Sequence, residues 1–125
     1  MTLSRGIPLS AHGAIEVIAG PAIMVAPFVL GFGAVATVLT IVLGALVLTM
    51  SLQLEHPSRS LPLSAHAGFD YALAFTALFA GLGFAVTGHG AESAFLVGIG
   101  VAQAALTAST RFSSPAAPNT PAYLP

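Results

Sequence analysis

Two histidine–acid pairs carry most of the chemistry open to this chain: His12 with Glu16, and His66 with Asp70. In each pair the acid follows the histidine by four residues. That spacing places both side chains on one helix face, about one turn apart. Each pair also follows the same five-residue phrase, Pro8-Leu9-Ser10-Ala11-His12 and Pro62-Leu63-Ser64-Ala65-His66. Three kinds of chemistry compete for such a set. Each pair can satisfy itself at a membrane interface and orient its helix. The carboxylates can instead relay protons or ions, since an ionisable residue inside a span is by default a functional hypothesis. Two imidazoles and two carboxylates also suit zinc or a similar divalent ion. A bis-histidine haem between His12 and His66 is a further variant, with acids one turn away as awkward company.

The remaining polar residues add little chemistry. Gln103 reads as a hydrogen bonder between helices, and Tyr71 as an interfacial aromatic. His89 and Glu92 read as solvated at a turn, as do Glu55 and His56 in a loop. No serine–histidine–acid set has supporting motif context, and the chain has no cysteine. The sequence alone assigns no catalytic residue, no metal and no cofactor.

The elements that position these residues follow from composition. Of 125 residues, 56% are hydrophobic and 6% are charged, with a mean hydropathy of +0.94. A soluble domain carries about 25% charged residues, so the bilayer is the natural solvent here. A net charge of −1 with no basic run excludes an electrostatic footprint for nucleic acid. A span needs about 20 mainly apolar residues, and four stretches qualify: 11–32, 34–54, 65–87 and 91–110. Short glycine-bearing turns join the first to the second and the third to the fourth. The expected fold is an all-α membrane protein of four transmembrane helices, arranged as two tandem helical hairpins.

An offset of 54 residues aligns the repeated phrase, the two acids, Ala26 with Ala80, and Gly44 with Gly98. Two spans per unit make these parallel repeats, related by a pseudo-twofold axis along the membrane normal. If that axis runs between the first and third spans, all four ionisable side chains converge. Arg5, Arg59 and Arg111 all fall on one face, which places both termini in the cytoplasm by the positive-inside rule. The expected organisation is a cytoplasmic N-terminus (1–10), hairpin repeats at 11–54 and 65–112, a cytoplasmic loop (55–64), and a disordered proline-rich tail (113–125). The first span exceeds a signal-peptide core in length, and its repeat partner is internal, so it reads as a span.

The stretch Gly20-Pro21-Ala22-Ile23-Met24-Val25-Ala26-Pro27-Phe28-Val29-Leu30-Gly31-Phe32 resembles the first helix of the SPW-repeat family of small membrane proteins. The family's Ser-Pro-Trp phrase is Ala26-Pro27-Phe28 here, before a Val-Leu-Gly-Phe turn; the second repeat reads Ala80-Gly81-Leu82. The resemblance implies a small polytopic protein of two-helix units and no assigned chemistry.

Helices in lipid approach closely through small residues. Ala77, Gly81 and Ala85 in the third span, and Ala94, Gly98 and Ala102 in the fourth, are the expected seams. Ser10 and Ser64 are expected N-caps, and Pro21 and Pro27 expected kink sites. These seams, set beside so few chemistry-capable groups, favour a structural or accessory protein that assembles with itself or with a larger membrane complex. A proton- or ion-translocating module is the first alternative, and a metal- or haem-binding redox subunit the second.

Overall fold

The apolar runs become four helices in the computed structural model: α1 (Leu9–Leu30), α2 (Ala34–Glu55), α3 (Leu63–Val86) and α4 (Gly90–Ala108). Residues 5–55 and 61–112 are described. The side chain of Glu55, the loop residues His56 and Arg59, and the expected disordered tail at 113–125 lie outside the described residues.

All four helices are long and apolar enough to cross a membrane. Their burial is inverted relative to a soluble bundle. Val86, Val29, Val35, Ile18 and Phe79 face outward, while His12, Glu16, Thr40, Ser51, His66 and Asp70 are fully buried or nearly so. A small apolar core of Leu43, Ala77 and Leu96 fills the middle. The chain is thus a four-helix membrane bundle.

Helix boundaries follow local backbone chemistry. Proline fixes φ, and Pro8 and Pro62 adopt extended conformations directly before α1 and α3. Their carbonyls accept the amides of His12 and His66. Ser10 and Ser64 therefore fall inside the first turn, and neither helix has a side-chain cap. The expected serine caps are corrected on this point. Helix α1 runs through both Pro21 and Pro27. It stops where Gly31 turns left-handed at φ 71°, and Pro27 O accepts the amides of Gly31 and Phe32. Gly88, at φ 82°, marks the turn between α3 and α4.

Within each hairpin the helices pack tightly along their length; between hairpins, thinner seams join α2 to α3 and α1 to α4. That pattern is the one a twofold exchange of α1 with α3 and of α2 with α4 preserves. At one end, Ile7 and Thr110 form a parallel bridge: Ile7 donates to Ser109 O, and Arg111 donates to Ile7 O, both at 3.0 Å. The segments bearing Arg5 and Arg111 therefore lie at the same end of the bundle.

The expected stripe on the third helix holds in part, and the one on the fourth does not. Ala77 and Gly81 are buried, but Ala85, Ala94, Gly98 and Ala102 are exposed. A methyl on Gly98 would meet nothing within 4 Å, whereas one on Gly100 would come 2.6 Å from Leu78 Cγ and 2.8 Å from Ala74 O. The cause lies in length: α3 has 24 residues and α1 has 22. The 54-residue offset holds for α1 against α3 but becomes 56 for α2 (from Ala34) against α4 (from Gly90). Two residues rotate a helix by about 200° at 3.6 residues per turn, which turns the expected stripe outward. The structural counterpart of Gly44 is Gly100. Gly44 abuts Gly20 O and Met24, just as Gly100 abuts Ala74 O and Leu78.

Candidate functional site

His12 and His66 are the fourth residues of α1 and α3, and Glu16 and Asp70 the eighth. Equal depth in both helices, together with the pseudo-twofold arrangement, brings all four side chains to one point near the Ile7–Thr110 end. One ligand atom from each residue lies within 4.8 Å of all the others. Relative exposures are 0% for His12, Glu16 and Asp70 and 2% for His66. The two pairs therefore form one closed cluster rather than two pairs each satisfied by itself at an interface.

Contacts run across the pairs as well as within them. Asp70 Oδ2 lies 3.0 Å from His12 Nε2 and 3.2 Å from His66 Nε2. Glu16 Oε1 lies 3.6 Å from His66 Nε2 and in direct contact with His12 Nε2. Only the contact between His12 Nε2 and Asp70 Oδ2 is a hydrogen bond. Both Glu16 oxygens, both His66 ring nitrogens and Asp70 Oδ1 are buried without a hydrogen-bond partner. Leaving such groups unpaired is costly.

The far side of His12 is fixed. Thr110 Oγ1 donates to Leu106 O at 2.6 Å, so its proton is already committed. It accepts from His12 Nδ1–H at 2.8 Å. Nδ1 therefore carries a proton, and Nε2 faces the carboxylates either as an imidazolium N–H or as a bare lone pair. A lone pair among carboxylate oxygens needs a cation between them. Phe112 closes the end of the cluster, its ring centroid 5.1 Å from that of His12 and 5.9 Å from that of His66. The two imidazoles meet edge to face at 5.7 Å. A haem sandwiched between them would need parallel access for both nitrogens and space for a macrocycle, and this packing offers neither.

Thr110 and Phe112 are the participants that sequence reasoning missed. Both follow α4, which ends at Ala108, and nothing in their spacing announces a fold back onto α1. Gln103 is buried at 9% exposure, but its Nε2 has no partner, so the expected bond between helices is not made by that atom. Thr40 Oγ1 and Thr107 Oγ1 are also buried and unpaired. Tyr71 is exposed at 37% beside the cluster. His89 is exposed at the opposite turn, 3.1 Å from Thr87 Oγ1, and Glu92 is half-buried there.

No family model, no curated protein and no solved structure matches this chain. Its chemistry is therefore argued from the cluster itself.

Proposed function

We propose that the bundle holds one divalent transition-metal ion, zinc in the first instance, between His12, Glu16, His66 and Asp70. One observation carries this reading: four ligand atoms gather within 4.8 Å of one another, yet only His12 Nε2 and Asp70 Oδ2 make a hydrogen bond, and Glu16 and His66 are left without partners. Zinc binds nitrogen and oxygen ligands tetrahedrally at about 2.0–2.2 Å, which sets ligand-to-ligand edges of about 3.3–3.6 Å. Three of the six separations, at 3.0, 3.2 and 3.6 Å, fall near that value, and all six lie within 4.8 Å. Charge also balances. Two carboxylates neutralise a divalent ion while both imidazoles stay neutral, so the buried site carries no net charge into a medium that penalises it.

A set of four protein ligands describes a structural rather than an open catalytic centre. Its location suits that role. Helices within a hairpin pack closely, whereas the hairpins meet along thin seams. A metal here ties α1 to α3 and hence one repeat to the other. The accessory reading rested on small-residue seams set beside few chemistry-capable groups; the gathering of those groups into one buried cluster moves the weight to metal binding. The two remain compatible, since a metal-tied bundle can serve as a subunit of a larger assembly. Kinship with the SPW-repeat family stays a proposal, supported by the Gly20–Phe32 phrase and by the two-helix units.

Elemental analysis of protein purified in mild detergent and loaded with zinc tests the reading. About one ion per chain is expected, lost in the double variant Glu16→Gln, Asp70→Asn. A metal-free protein after loading, or undiminished zinc in the double variant, overturns it. Proton flux in liposomes that disappears in the double variant, with no metal bound, would favour the relay alternative. The relay has less support, because Leu43, Ala77 and Leu96 fill the bundle between the cluster and the far turns.

Thr110 supplies a second, finer test. Partners that orient a ligating histidine typically contribute 10–100-fold to metal affinity. Thr110→Val is expected to weaken zinc binding by about that factor in a chelator competition, and Thr110→Ser to restore it. Equal affinity in all three proteins would remove Thr110 from the site.

A further inference from the structure

An ion held by His12, Glu16, His66 and Asp70 needs a way in, and all four residues are closed off from solvent. The helices offer none. Their outer faces meet lipid, which rejects a divalent ion. Toward the far turns, Leu43, Ala77 and Leu96 fill the bundle. At the near end the cover is of another kind. It is made by two short segments outside the helices, residues 5–8 before α1 and 109–112 after α4. They pair at the isolated Ile7–Thr110 bridge, through two main-chain hydrogen bonds of 3.0 Å. The Phe112 ring then lies against both imidazoles.

Such a cover opens more readily than a helix does. A lone bridge has no ladder behind it, and elements of this kind open locally while the rest stays folded. The cover is also fastened to a ligand. Thr110 is the bridge partner of Ile7, and its hydroxyl accepts from His12 Nδ1 at 2.8 Å while donating to Leu106 O at 2.6 Å. Lifting residues 109–112 therefore removes the group that orients His12. His66 has no such fastening, since its Nδ1 is buried without a partner. Opening of the cover and loosening of His12 are one event.

We propose that residues 5–8 and 109–112 form a gate over the metal centre, which opens to water at the Arg5–Arg111 end and is latched by bound metal through Thr110. Gate and latch rest on the metal reading and give that site its route of entry and its regulation. The latch follows from reciprocity. If a closed gate strengthens metal binding by holding His12, bound metal favours the closed gate by the same factor. The bundle thus has two states, which differ at the end where Arg5 and Arg111 are exposed.

Full-length protein in nanodiscs tests gate and latch separately. For the gate, zinc uptake and zinc release into excess chelator are timed. Phe112→Ala is expected to speed both by about tenfold, as removal of a lid does, with affinity nearly unchanged. Ala102→Phe, on the exposed lipid side of α4, is expected to change neither rate. Gly6 stands beside Ser109 in the bridge register, and the chain has no cysteine of its own. Neighbouring strands lie about 4.8 Å apart, within disulfide reach. Gly6→Cys with Ser109→Cys is therefore expected to cross-link, and to slow uptake and release by about tenfold relative to the same variant reduced and alkylated. For the latch, zinc is expected to slow hydrogen exchange at the Ile7 and Arg111 amides by about 5–150-fold, the usual range for coupled sites, with no such effect in Glu16→Gln, Asp70→Asn. Unchanged rates in both gate variants, faster release with unaltered uptake in Phe112→Ala, a cross-link that does not form, or amide exchange indifferent to bound zinc overturns the proposal. Rates that respond to Ala102→Phe rather than to Phe112→Ala place the route on the lipid side and overturn it as well. A wild-type protein without zinc overturns the metal reading itself, so the zinc content of each sample tells the two failures apart.

Discussion

His66→Ala is expected to abolish stoichiometric zinc binding and to lower stability by about 3–5 kcal/mol, the range seen when one partner of a buried ionic set is removed. The reason is the enclosure of the cluster. With one imidazole gone, Glu16 and Asp70 remain fully buried, with His12 alone to balance them. Phe112 and the Ile7–Thr110 bridge close the end through which water would relieve them. Replacing all four residues at once, as His12→Leu, Glu16→Met, His66→Leu and Asp70→Leu, is expected to give a folded, metal-free bundle. Well-packed apolar groups commonly substitute for a buried ionic set at little cost. Thermal unfolding in detergent, read with zinc content, checks both halves. A harmless His66→Ala would mean that the carboxylates reach water. A quadruple variant less stable than the single one would mean that these side chains shape the bundle by packing rather than by charge.

The contrast between those variants shows what was legible before the fold was seen. The repeated Pro-Leu-Ser-Ala-His phrase puts each histidine four residues into its helix and each acid eight residues in, because proline sets where the helix begins. Equal depth on two parallel repeats then leads to one meeting point, so the site could be read from the duplication together with helix geometry. The four spans were equally legible, since length and hydropathy decide them. Thr110 and Phe112 were not, because their roles depend on the chain after α4 folding back to bridge Ile7, a tertiary event with no periodic signal.

Ala77 and Gly81 lie in the seam expected for the third span, whereas the stripe expected on the fourth was wrong in register, and this sets up opposite outcomes for two glycines on one helix. Gly100→Ala is expected to destabilise the bundle, by about 1–3 kcal/mol if the helices shift to accommodate the methyl. Its new carbon would lie 2.8 Å from Ala74 O, part of a helix backbone that cannot rotate away as a side-chain end can. Gly44→Ala, placed 2.7 Å from Gly20 O across the other hairpin, is expected to behave in the same way. Gly98→Ala should be neutral or slightly stabilising, because its methyl enters open space and alanine is the better helix former by up to about 1 kcal/mol. Melting temperatures of the three variants in one detergent decide the matter. If Gly98→Ala proved the damaging change and Gly100→Ala the silent one, the 54-residue register would hold through α4 and the exposed Ala94–Gly98–Ala102 face would be the true seam. The ordering expected here follows from the two extra residues of α3, which carry the second repeat's outer turn further along and rotate α4 by half a turn relative to its counterpart. That rotation also sets the inner face of α4. It places Gln103 where α2 has Val47, and Thr107 where α2 has Ser51, all four of them buried. The same two residues thus make the second hairpin the more polar partner beside the cluster, and Gly100 is the position at which that register can be tested directly.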